Sequence, residues 1–124
     1  IQIEVSSIKY EKLQQEGIPE SSEKIKNRVN RARILQRERY AKEKIYSNSS
    51  LTPKLIQKYC KLDQESKNLL EKAFEKMNLS ARAYSRILKV ARTIADLEGK
   101  EQIQKCHIAE AIQYRSLDKK YWKN

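Results

Sequence analysis

A chain of 124 residues with 39% apolar and 35% charged residues, but only 2 Gly and 2 Pro, is not a disordered segment. It reads as one helical globular domain, or one domain plus a fragment of another, whose modest core must be closed by long amphipathic helices. Its formal net charge of +11 points toward polyanions: nucleic acid, nucleotide phosphates or an acidic protein surface. A solvated basic skin, or a piece cut from a better balanced protein, would give the same number.

Residues 1–5, IQIEV, alternate in the manner of a strand. A single strand is not stable alone, so residues 1–5 are expected to be the last strand of a removed sheet, and residues 1–20 that strand with its connection. Residues 21–124 are then a helical domain. Ser21 or Ser22 can cap a long helix reaching about residue 45, with Ile25, Val29, Ala32, Gln36 and Tyr40 on one narrow stripe. Thr52 caps a short helix whose first residue, Pro53, has no amide to leave unpaired. Asp63 caps the next helix, with Leu69, Leu70, Ala73, Phe74 and Met77 on its apolar face and Asn78 at its end. Ser80 caps a fourth, with Ala81, Tyr84, Leu88, Ala91 and Ala95 as the buried stripe, Ile87 and Ile94 at its margin, and Gly99 closing it. The last helix covers about residues 105–115, with Ile108, Ala111 and Ile112 inward and a frayed tail beyond. The expected fold class is all-α: a small bundle with one long N-terminal helix, preceded by the remnant β-strand.

Chemistry concentrates in two places. Arg82 falls in the first turn of the fourth helix, where the amide end already carries roughly half a positive charge. A cation is misplaced there unless an anion answers both, and phosphate suits the Arg and the helix end alike. Arg86, Lys89 and Thr93 share its face; for Arg86 and Lys89 a solvated basic face remains an open reading. Arg92 has Asp96 four residues on and is expected to pair with it structurally. The second concentration is the first long helix, where Arg28, Arg31, Arg33 and Arg37 stand among several lysines. Such a helix could lie along a nucleic-acid backbone or against acids of a neighbouring subunit. Tyr40 and Tyr46 are the only aromatics nearby and are badly placed for stacking on bases, which favours the contact helix.

No catalytic residue is expected within the chain itself: it has no Gly-rich phosphate loop, no Ser-His-Asp set and a single His. Cys60 and Cys106 lack CxxC spacing, and His107 beside Cys106 reads as a packed imidazole, so no metal site is expected. No apolar run is long enough for a bilayer and no signal peptide is visible, so a cytoplasmic protein without membrane partners is expected.

The segments LSARAYSRILKVARTIADLEG and HIAEAIQYR together resemble the C-terminal part of the magnesium-chelatase-like AAA+ ATPases, the bacterial ComM/YifB group. ESSEKIKNRVNRARILQRERY is similar to that family's long helix with its RV-x-x-AR-x-x-Q-x-x-R pattern, and IQIEV to its preceding strand. The resemblance implies a hexameric parent with a Lon-protease-like N-terminal domain and an ATPase core, of which this chain is the helical lid. It also implies that Arg82 is the sensor 2 arginine, reaching the ATP γ-phosphate within its own subunit or a neighbour's. ATP and Mg²⁺ would be the parent's cofactors; the isolated chain, without Walker motifs, is expected neither to hydrolyse ATP nor to bind it. Partners implied are its own core, the other subunits of the ring and DNA. The parent's expected task is DNA remodelling in competence or recombination. A free-standing basic nucleic-acid-binding module and the lid of a true magnesium chelatase subunit are the alternatives.

Overall fold

The computed structural model describes residues 21–121, with side chains from 21 to 115. The expected strand at 1–5 and its connection lie outside the described residues. Among the described residues five α-helices and one 3-10 turn form a small all-α bundle. α1 is Ser22–Arg39, the 3-10 turn is Asn48–Ser50, α2 is Pro53–Tyr59, α3 is Gln64–Lys76, α4 is Ala81–Leu97 and α5 is Lys105–Tyr121.

Local chemistry sets most boundaries. Ser21, Thr52, Asp63 and Ser80 each accept a hydrogen bond from the amide three residues on, at 3.2, 3.3, 2.8 and 3.1 Å. α3 and α4 end in the same device. Asn78 and Gly99 adopt left-handed backbone (φ 52° and 72°). The amides that follow them, Leu79 and Lys100, reach back to Phe74 O and Ala95 O. This double closure satisfies the last carbonyls of each helix. α5 opens with a side-chain cap of another kind: the Gln104 amide donates to His107 Nδ1 at 2.9 Å. His107 Nε2 therefore carries the proton in the neutral ring and donates to Glu98 Oε1 at 2.9 Å.

α1 is shorter than its apolar stripe suggests. It stops at Arg39 because Tyr40 turns fully into the core and its hydroxyl donates to Asn48 Oδ1. Lys44 then takes a left-handed conformation, φ 60°, which a helix cannot contain. The first residues of α1, 22–27, are exposed; only Ala32 and Gln36 of the helix are buried. α5 in turn runs farther than residue 115, keeping helical backbone to Tyr121.

α4 is the central helix, packed against α1, α2, α5 and the 3-10 turn. Its buried residues are Ala83, Ile87, Leu88, Ala91, Ile94 and Ala95, with Arg92 and Asp96. Two neighbours on different sides widen the buried arc, so Ile87 and Ile94 are core rather than margin. Ala81, expected inside, is exposed, and Tyr84 is half-buried. Tyr40, Leu51, Ile56, Cys60, Leu70, Leu79, Ile103, Ile108 and Ala111 pack with them in the core. Each fully buried Leu or Ile contributes about 1.5–3 kcal/mol relative to exposure.

Candidate functional site

Leu79 is buried and seats the turn that launches α4, and Ser80 caps it. The cap engages the Ala83 amide, which leaves the amides of Ala81 and Arg82 without an intrahelical partner. No acidic residue lies in this first turn. Arg82 is exposed, and among the described residues no hydrogen bond or ion pair holds it. An unanswered cation at a helix amide end costs about 0.3–1 kcal/mol. Chemically, the two amides and the guanidinium form a place where an oxyanion would be stabilised from both sides.

Of the residues sharing this face, Arg86 is exposed one turn farther along. Lys89 and Thr93 have structural work. Lys89 Nζ donates to Ser49 O at 3.2 Å. Thr93 Oγ1 donates to Lys89 O and accepts from Asn48 Nδ2, both at 2.9 Å. They fasten the 3-10 turn to α4.

The far end of α4 holds a buried polar network around Asp96. Arg92 is paired with it as expected, Nε to Oδ1 at 3.1 Å, and its two terminal nitrogens donate to Glu101 O and Lys100 O at 2.9 and 2.8 Å. Those carbonyls follow the negative end of the helix dipole, so Arg92 is answered by more than the carboxylate. Arg39 of α1 adds a two-pronged pair to Asp96, at 2.6 and 3.0 Å, a geometry that suits guanidinium and carboxylate. Asn48 Nδ2 supplies a further donor at 3.0 Å. Gln36 completes the ring by accepting the Asn48 amide at 3.0 Å. Burial works against the charge on Arg39, but its bonds to Asp96 and Tyr40 more than offset this and hold the guanidinium pKa above its usual value. Burial likewise pushes the Cys60 thiol up to about 11, where it is unreactive.

The cations of α1 do not join Arg82. Arg28 and Arg31 border a cleft of about 960 Å³ whose other wall includes Leu97, Glu98 and Lys100, at the opposite end of α4. Seventeen residues of helix put about 25 Å between the two ends. Arg33 and Arg37 are exposed on the other flank of α1. The two basic concentrations are therefore separate surfaces. Sequence reasoning missed Arg39, Asn48 and the capping role of His107. The only sequence signal for Arg39 is a basic residue in the last turn of α1. Its partner is 57 positions away. Among the described residues no group of three or more His, Cys, Asp or Glu could hold a metal ion, and no helix is long and apolar enough to cross a membrane.

These features define a small helical domain built on one central helix, with a cation exposed at its amide end and a locked polar network at the other. Residues 19–115 match the family described as magnesium chelatase, subunit ChlI C-terminal, and the chain belongs to that family. It is 44% identical over 118 residues to the competence protein ComM of Haemophilus influenzae, covering 94% of this chain and 22% of that protein. It is 42% identical over 100 residues to the protein YifB of Salmonella typhimurium, covering 81% of this chain and 19% of the relative. The YifB protein of Escherichia coli is 41% identical with the same coverage. The chain thus spans about a fifth of the length of these relatives. No solved structure matches it.

Proposed function

We propose that this domain is the helical lid of a magnesium-chelatase-like AAA+ ATPase, and that Arg82 is its contact to the nucleotide. The observation that carries the reading is an exposed arginine at the capped amide end of α4 that, among the described residues, no acid or hydrogen-bond acceptor holds. Family membership supports the lid assignment. Bound ATP would supply the reactive phosphoryl group, with Mg²⁺. The work of this chain would be to place the Arg82 guanidinium, and behind it the Ala81 and Arg82 amides, against phosphate oxygens as charge builds on them. The rigid body of α4 and its network would tie that contact to the position of the whole lid, so that loss of the phosphate releases the lid. The similarity to a competence protein supports a parent that remodels DNA in an oligomeric ring. The test is Arg82→Ala in the full-length protein. We expect ATP turnover in the assembled ring to fall about 100-fold or more; unchanged turnover removes the nucleotide role.

A second reading has its own observation. Lys26, Arg33 and Arg37 form an exposed cationic stripe on α1, which would suit a basic module lying on a nucleic-acid backbone. Tight binding of DNA by this chain, weakening steeply as salt rises, would favour it. The family description itself keeps a true magnesium chelatase subunit as a further alternative parent. ATP turnover without any response to DNA would point there.

A further inference from the structure

We propose that the cleft between α4 and α5 docks an acidic amphipathic helix of a partner protein. The cleft encloses about 530 Å³. Its floor is aliphatic, with Val90, Ile94 and Leu97 from α4. Its rim carries Arg86, Lys89 and Arg115, and among the described residues no carboxylate lines it. Arg82 is not part of it, so the inference stands apart from the nucleotide reading.

Two observations separate this cleft from an ordinary solvated basic patch. The first is Arg115, whose Nε is buried and has no hydrogen-bond partner among the described residues. A buried donor left unmade is costly, and a small turn of the Arg115 side chain toward the cleft would let an entering carboxylate satisfy it. The second is spacing. Arg86, Val90 and Leu97 recur at helical intervals along one side of α4, so cationic and apolar positions follow each other over about 16 Å. A ligand that matches this run presents apolar anchors on one face and acids beside them, which is what an amphipathic helix of about three turns offers.

The alternatives fit less well. A second copy of this chain would bring a net charge of +11 against the cationic rim. A nucleic acid would find phosphate partners, but among the described residues Tyr114 is the only aromatic lining the cleft, and base stacking needs a platform.

The experiment uses the whole 124-residue chain and a fluorescent peptide of about three helical turns, with Leu on one face and Glu on both flanks. A scrambled peptide of the same composition is the control. Anisotropy should show the amphipathic peptide binding about tenfold tighter than the scramble, a difference of about 1.4 kcal/mol. Arg115→Met and Leu97→Glu should each weaken it about tenfold or more. Lys72→Ser, on the exposed side of α3, should leave it unchanged. Should Leu97→Glu fail to fold by circular dichroism, Arg115→Met decides alone. Equal binding of the scramble, indifference to Arg115→Met, or full displacement by an oligothymidylate of matching length would each overturn the proposal.

Discussion

Replacing Asp96 by Asn tests whether the polar network holds α1 to α4. The substitution keeps shape and one acceptor but deletes the charge between two guanidiniums. The Arg92 side chain is 4% exposed and that of Arg39 18%, so Arg39 can turn toward water more easily than Arg92. Removing one partner of a buried pair costs about 3–5 kcal/mol, because the remaining charge is stranded. Here the carbonyls of Lys100 and Glu101 still receive Arg92, and Asn retains an oxygen, so the low end applies: about 3 kcal/mol. Against a domain stability of about 5–15 kcal/mol that is a large fraction. It corresponds to a fall in Tm of roughly 15 °C for a domain near 100 residues. Urea unfolding followed by circular dichroism gives the free energy directly, and an unchanged m-value would show that the native and denatured states kept their compactness. Arg39→Met should cost less than Asp96→Asn, and the double variant less than the two losses added, because both remove the same pair. A loss below about 1 kcal/mol for Asp96→Asn, the range of an exposed ion pair, would refute the reasoning.

Three further outcomes follow from other parts of the molecule. Arg82→Glu should raise the stability of this domain by about 0.5–1 kcal/mol, since an acid suits the amide end of α4 where the cation does not; a measured loss would mean Arg82 is engaged in the fold. The Cys60 thiol, raised to about 11 by burial, is held protonated by the folded state. Its contribution is therefore fully present below the unfolded pKa, near 9, and is lost as pH rises through about 11. Stability should decline across that window by up to about 3 kcal/mol, and Cys60→Ala should flatten the decline, as alkaline urea titrations would show; Cys106, which is exposed, should react first with a thiol reagent.

Where the fold was legible in the sequence, the cause was local. Thr52-Pro53, Asp63, Ser80 and Gly99 act on amides or carbonyls within a few residues of themselves, so reading them needs no tertiary knowledge. The end of α1 was not legible because residues 40–44 contain no Gly or Pro. What stops the helix is Tyr40 finding Asn48 across a loop. The buried face of α4 was read too narrowly, since one stripe presumes one neighbour and α4 has several. The site divides in the same way. Arg82 could be singled out because its anomaly lies between a residue and its own helix. The Arg92–Asp96 pair follows from helical spacing, whereas Arg39 reaches Asp96 only through the packing of α1 on α4. The orphaned Arg115 donor has no sequence signature at all.

The way α1 is fastened has a mechanical corollary. Its C-terminal turns are clamped to α4 by Arg39 and to the 3-10 turn by Gln36, while residues 22–27 are exposed. The helix is a cantilever, built in at one end and projecting at the other. A load applied near Ser22 is multiplied by the length of the beam before it reaches the clamp, so whatever grips the projecting turns gains leverage over the central helix and everything seated on it.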